Sequence, residues 1–458
     1  MLRRSVVALG VGLLLAGGGA GANPFETTLA NGLKVIVKED RRAPSAVHMV
    51  WYRVGAMDEV DGTSGVAHVL EHMMFKGTAK VGPGEFNKRV AAVGGRDNAF
   101  TASDYTAYFQ QVPPKELGQM MALEADRMAN LRITDEAFAK EIEVVKEERR
   151  LRTEDRPHAL VYEQLRASAF LSDPYRRPVI GWMPDLERMT ADDARAWYKS
   201  WYAPNNATLV VVGDVDHREV FELARRHYGK VPRKMLPARR EITEPEQRGP
   251  RRAVVRAPAE LPYVTLAWHA PTVRNLDNAQ DFFALQVLAA ILDGYDGARL
   301  NTRLVREGRL AVSAGASYDG MARGESLFLL DASPAPGKTV ADVDAALRAE
   351  VVRIRDNGVT PAELARVKAQ AMATQVYKRD SLMGQAMEIG ALEMTGFSWR
   401  DEDRLLEGIR QVTAEQVQAV AGRYFGDELV TVAELDPLPL SAAKPRKRGI
   451  AVRHGGGQ

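Results

Sequence analysis

The chain has 458 residues, more than one hydrophobic core usually spans, so two or more domains are expected. Lys and Arg number 62 against 60 Asp and Glu, and 45% of residues are hydrophobic, the composition of a soluble globular protein and not of a nucleic-acid binder. Cysteine is absent, which excludes disulfides and thiolate metal sites alike.

Residues 1–22 combine MLRR, the apolar run VVALGVGLLLA and the small residues Ala20-Gly21-Ala22, the pattern of a cleaved signal peptide. The alternative is an uncleaved anchor, against which stand the shortness of the apolar run and its glycine. The expected location is the periplasm or the outside of the cell, with no stable membrane insertion after cleavage. FETTLANGLKVIVKE then reads as two strands joined at Asn31-Gly32, and AVHMVWYRVG as a sheet strand in which His48 is structural.

The run VAHVLEHMMFK, residues 66–76, is predicted to be a helix, with Thr63 or Ser64 available as its N-cap. His68 and His72, four apart, share one face, and Glu71 lies beside them. Two imidazoles and a carboxylate in an apolar helix point to a metal, and a catalytic zinc needs a third ligand and an open position. Glu85 to Val93 is a further helix, ended by Gly94-Gly95. Asn98 to Val112 reads as one or two strands, either internal or able to pair with an extended substrate backbone.

KELGQMMALEADRMAN carries a Leu/Met core stripe, and a charged helix is predicted from Asp135 to about Arg152. Its acids are mostly solvated face; Glu141 and Glu148, seven apart, lie nearly on one side, but spacing alone does not choose Glu148 over Glu147. Helices follow at Arg156 to Phe170, in TADDARAWYKSWYA with Thr190 as N-cap, and at Asp216 to Tyr228, with a buried strand NATLVVVGDVD between the last two. Residues 229–252 are polar, proline-rich and charged, and the inter-domain linker is placed there.

The second half repeats the first in outline. PYVTLAWHAPT is a strand with a structural His269, FFALQVLAAILDG stands where the first half has its histidine helix but lacks the histidine pair, and ESLFLLDASPA is another strand. Two or three long helices are expected from Val340 to Arg410, and VTAEQVQAVAGRYFGDELVTVAEL echoes MTADDARAWYKSWYAPNNATLVVVGDV. The tail from Ser441 is basic and glycine-rich.

His68-Val69-Leu70-Glu71-His72 resembles the inverted zinc motif HxxEH of the pitrilysin and mitochondrial processing peptidase family. Gly94-Gly95-Arg96-Asp97-Asn98-Ala99-Phe100-Thr101 resembles that family's GGxxNAxT segment. Pro178-Val179-Ile180-Gly181, Tyr202-Ala203-Pro204-Asn205-Asn206-Ala207 and Val212-Gly213-Asp214-Val215 match further landmarks. The resemblance implies Glu148 as third ligand of one Zn²⁺ per chain, with His68 and His72, Glu71 as general base, and Glu141 supporting a ligand. It implies contacts from Asn98, Ala99 and Phe100 to an extended peptide. The implied fold is α+β: two homologous α/β domains, each a sheet flanked by helices, forming half of a clamshell. The domains run 23–230 (zinc-binding) and 253–440 (without zinc), with a linker at 231–252 and a basic tail at 441–458.

One departure matters. Where the family's self-sufficient members have an arginine and a tyrosine in a pattern like LRExxGLAYSV, LNTRLVREGRLAVSAGASY places Val305 and Val312. Neither can donate a hydrogen bond, and register argues against Arg303, Arg306 or Tyr318 as substitutes. The resemblance therefore implies the zinc-bearing subunit of a two-subunit metalloendopeptidase, its homologous partner supplying the Arg/Tyr pair; a homodimer is the other arrangement. The competing function is a non-catalytic scaffold or binding subunit that retains the fold.

Overall fold

The computed structural model describes residues 23–442; the leader expected at 1–22 and nearly all of the expected tail lie outside the described residues. The first half opens with β1 (Phe25–Thr28) and β2 (Lys34–Glu39), an antiparallel hairpin turned at Gly32, whose φ of 91° suits glycine. Then come β3 (Ala46–Tyr52), α1 (Val66–Met73), α2 (Glu85–Ala92), β4 (Arg96–Thr101), β5 (Thr106–Val112), α3 (Leu117–Asn130) and α4 (Asp135–Arg149). A single π-helical turn, Arg150–Glu154, extends α4. The half closes with α5 (Pro157–Ala169), α6 (Met183–Arg188), α7 (Ala191–Trp201), β6 (Ala207–Gly213) and α8 (His217–His227).

The second half contains β7 (Arg251–Pro258), β8 (Tyr263–Ala270), α9 (Gln280–Asp293), a π-helical segment Asn301–Glu307, β9 (Ala311–Tyr318) and β10 (Ser326–Pro334). It continues with α10 (Val340–Asn357), α11 (Pro361–Asp380), α12 (Leu382–Thr395), α13 (Glu402–Gln411), α14 (Ala414–Arg423) and β11 (Thr431–Leu438). Four helices thus fill the stretch where the sequence pattern suggests two or three. The extra breaks have local causes: Gly358 at φ 71° before the Thr360 cap, the Ser381 cap, and Gly396 at φ 98°. β7 begins inside the stretch expected to be linker, its alternating burial concealed in sequence by three arginines in eight residues.

The sheets run β1-β2-β6-β3-β5-β4 and β7-β11-β8-β10-β9. Dropping β1, the two orders correspond strand for strand, and α1 packs on β4 as α9 packs on β9. The architecture is two related α/β units, as the sequence resemblance implies.

The units are interlocked. α1, α3, α7 and α8 cover one face of the first sheet, while its other face, Ile36, Met49, Trp51, Val210 and Val212, is covered by Leu382, Ala386 and Ile389 of α12. Reciprocally, Val161, Leu165 and Ala169 of α5 cover Ala267, Ala433 and Leu435 of the second sheet. The sheets face opposite-end helices because each strand of a two-sided sheet needs apolar cover on both sides. A polar latch reinforces the contact: Arg323, between β9 and β10, binds both Asp58 carboxylate oxygens at 2.9 Å and the Asp104 carbonyl at 3.0 Å.

Gly390 of α12 lies flat on Trp51, where an added Cβ would stand 1.9 Å from the indole. Gly390→Ala should therefore destabilise the protein by about 1–3 kcal/mol through overpacking, read as a lower denaturant midpoint, with Gly82→Ala, whose added Cβ meets only a flexible Glu85 side chain, as control.

Candidate metal centre

α1 is short and nearly all buried, so its N-terminal amides need partners within the protein. Thr63 and Ser64 do not cap it. Gly65 takes the cap position at φ 89°, and the Glu59 carboxylate accepts from the amides of Gly65 and Ala67, both at 2.9 Å. Ser64 is drawn away by Asp185, to which its hydroxyl donates at 2.5 Å. Burial pushes the Glu59 carboxyl up to about 8, against the lowering effect of the two amides. A glutamate in a glycine-containing loop gave no sequence signal of this role.

The helix presents His68 and His72 toward α4. One nitrogen from each and one Glu148 oxygen lie within 4.8 Å of one another, all three residues buried. Glu148 Oε2 stands 3.2 Å from His72 Nε2 and 3.8 Å from His68 Nε2. Ligands about 2.0–2.1 Å from a tetrahedral ion stand roughly 3.3–3.4 Å apart, so the donor set fits a zinc with little adjustment. Glu148 Oε2 is also buried, and what it faces is the two imidazole nitrogens without a well-aligned hydrogen bond, an arrangement that an ion seated between the three would satisfy. Its other oxygen is held by Arg152, one turn on, at 2.9 Å. Glu147 instead pairs with Arg150 at 3.0 Å, which separates the two candidates that spacing left open.

His72 is gripped from both sides. Its Nδ1 meets Glu141 Oε1 at 2.9 Å, and Lys76 holds the other Glu141 oxygen. Burial disfavours the His72 cation, but Glu141 and Glu148 overcome it and raise the group to about 9. Glu148 is likewise raised by burial yet held at about 2 by the imidazoles and Arg152.

Glu71 is turned toward β4, where the Thr101 hydroxyl donates to its Oε2 at 2.5 Å. Burial raises its pKa, with Thr101 opposing. Thr101 is the residue sequence reasoning passed over: it ends the GGRDNAFT segment, but nothing in the sequence ties it to a glutamate thirty positions earlier. β4 is the edge of the first sheet, paired to β5 alone among the described residues. Strand alternation puts Ala99 and Thr101 on the α1 side and Asn98 and Phe100 on the other. Phe100 packs edge-on against Trp51, centroids 5.5 Å apart, so its side chain faces away from the metal ligands.

Other candidates resolve as structural. His48 lies between Gln110 and Tyr228, and His269 contacts the Ala169 carbonyl at 2.9 Å. Glu39, Asp216 and His217 also cluster, but Glu39 and Asp216 accept the first amides of α8 and act as its cap. In the second half Val305 packs on that unit's core and Val312 is exposed on β9. Tyr318 is a core residue bonded to the Pro271 carbonyl, and Arg303 faces Glu350 at 3.6 Å.

A pH effect follows for any metal bound here. Below about pH 9 the metal-free His72 carries a proton that the ion must displace. Zinc affinity should rise with pH up to that point, with about one proton released per zinc at pH 7; titration calorimetry in buffers of differing ionisation enthalpy measures it.

The chain resembles known proteins over most of its length. Residues 34–182 match the family described as "Insulinase (Peptidase family M16)", and residues 188–371 the "Peptidase M16 inactive domain". The chain is 31% identical to the zinc protease PqqE of Helicobacter pylori over 90% of its own length and 92% of the relative's. It superposes on a crystal structure of a protease from Helicobacter pylori with TM-score 0.85 and 30% identity, covering 90% of this chain and all of that one. It also matches the periplasmic protease PqqL from Escherichia coli with TM-score 0.78 and 19% identity, covering 95% of this chain but 51% of the other. Fold, motif segments and relatives converge, and the chain belongs to peptidase family M16, the family of pitrilysin and mitochondrial processing peptidase.

Proposed function

We infer that the protein is a zinc metalloendopeptidase that hydrolyses peptide bonds in short or unfolded polypeptides. The observation that carries this reading is the convergence of His68, His72 and Glu148 beside a separately held carboxylate, Glu71. Two imidazoles and one carboxylate are the donor set of a catalytic zinc site, with a coordination position left over. Bound there, one Zn²⁺ would supply a Lewis acid that polarises a carbonyl and acidifies water.

The chain's own residues supply the rest. Glu71 takes a proton from the attacking water and returns it to the leaving amine, a task helped by its burial-raised pKa. Thr101 fixes the rotamer that keeps Glu71 turned to that point. Glu141 accepts from Nδ1 of His72, so that Nε2 is the nitrogen that would turn to the ion, and Lys76 keeps Glu141 ionised. The open edge of β4 can receive an extended peptide as an added strand. Asn98, Ala99 and Phe100 then contribute chiefly main-chain groups, which suits substrates without fixed structure.

The chain reads best as the zinc-bearing half of a two-chain enzyme. Val305 and Val312 offer no hydrogen bond where an Arg/Tyr pair is expected, and the Escherichia coli structure it matches has a chain about twice as long. A homologous partner supplying that pair completes the clamshell. The leader at 1–22 supports a periplasmic or exported location, and among the described residues no helix is long and apolar enough to cross a membrane.

Glu71→Gln should retain one zinc per chain by atomic absorption yet lose about 10²–10⁴ in kcat toward an unstructured peptide. Unchanged hydrolysis would sink the mechanism and favour a scaffold role. The purified chain alone should be weakly active and gain at least about tenfold with a homologous Arg/Tyr-bearing subunit; full activity from the single chain would remove the partner from the scheme.

A further inference from the structure

Beside the metal centre lies a cavity of about 390 Å³ whose wall includes His68 and Thr101. Its remaining lining is unusual for a site next to three carboxylates: Arg152, Arg166, Arg176 and Arg177 with a single acid, Glu163. The charges do not cancel locally. Glu163 is held by both terminal nitrogens of Arg149, at 2.8 and 2.9 Å, so its charge is already matched by a guanidinium outside the lining. Arg176 and Arg177 share one carboxylate, Asp61, at 2.5 and 3.0 Å. Arg152 is engaged by Glu148.

Arg166 has no carboxylate at all within ion-pair distance among the described residues. Its guanidinium donates to the Tyr175 carbonyl at 2.8 Å and the Tyr162 hydroxyl at 3.2 Å, both neutral, and lies over the rings of Tyr162, Phe170 and Tyr175. Those aromatic walls keep the side chain in place and lower the local dielectric, so a cation there is worth more to an incoming anion than one on open surface. Ala159, Val179 and Ile180 add apolar wall suited to a methylene stem.

We propose that this cavity is a specificity pocket of the peptidase site that takes a carboxylate carried by the peptide, with Arg166 as its anion-binding group. The carboxylate comes from a Glu or Asp side chain or from the peptide's C-terminus; the chemistry is the same, and Lys or Arg in that position is repelled. The proposal rests on the peptidase reading for the ligand being a peptide, but binding to the pocket needs no turnover.

The test is binding of fluorescein-labelled, C-terminally amidated peptides to the Glu71→Gln protein, identical except for Glu, Gln or Lys at one scanned position. A free-acid version of the Gln peptide forms the second arm. The Glu peptide at one position, or the free acid, should bind roughly tenfold tighter than its neutral counterpart, as for one charge-assisted hydrogen bond. The preference should shrink between low and high salt. It should vanish in Arg166→Gln and persist in Arg166→Lys, with zinc content unchanged in both. Whichever arm responds identifies the source of the carboxylate. Equal affinities throughout, or a preference that survives Arg166→Gln, overturn the proposal. Should Arg166→Gln not fold, the wild-type charge preference and its salt dependence decide by themselves. A preference in binding without hydrolysis by the wild type would leave the pocket standing and count against the peptidase reading alone.

Discussion

One imidazole held between two carboxylates of a neighbouring helix fixes the rest of the site. Glu141 and Glu148 lie two turns apart on α4, and His72 reaches both, one through each ring nitrogen. The crossing of α1 over α4 that brings this about also places His68 beside Glu148 and turns Glu71 toward β4. The crossing is secured upstream, where Gly65 and Gly181 touch backbone to backbone; a Cβ on Gly65 would stand 2.6 Å from the Ile180 carbonyl. Arg149, next to Glu148, adds a bond to the Gly181 carbonyl at 2.7 Å. Burying so many charged groups costs free energy unless each is paired, and here Glu141 meets His72 and Lys76 while Glu148 meets Arg152 and the histidines.

The parts legible in the sequence are those that depend on short-range pattern. The i, i+4 histidines, the hairpin at Gly32 and the Thr190 cap each follow from local rules, and each is present. Glu148 and Glu147 are adjacent on an amphipathic helix, and only the position of α1 decides which one turns inward, so a family resemblance was needed to choose. Thr101, Glu59 and Arg152 were out of reach for a different reason. Thr101 and Glu59 act through a strand and a loop whose placement is tertiary, while Arg152 stands at an ordinary i, i+4 spacing that many charged pairs in the chain share. Ser64 shows the converse: a good N-cap by type, it is recruited by Asp185, more than a hundred residues away.

The two halves share a strand order but not a chemistry. In the first, the edge strand beside α1 carries RDNAFT and ends in the threonine that holds Glu71. In the second, α9 is apolar where α1 has its histidines, and the edge strand is AVSAGASY, small and uncharged. The second unit still buries charge, as at Glu350 and Arg299, but away from the position that corresponds to the histidine helix.

The exchange of α5 and α12 between the units bears on the order in which the chain can fold. The last strand of the first sheet ends at Gly213, yet the helix that covers its far face begins at Leu382. As the polypeptide emerges from its N-terminus, the first sheet stays uncovered on one side until the C-terminal quarter exists. The liganding helices can form early, but the strand that positions Thr101 gains its full support only when synthesis is nearly complete, which delays a finished centre until the whole chain is present to enclose it.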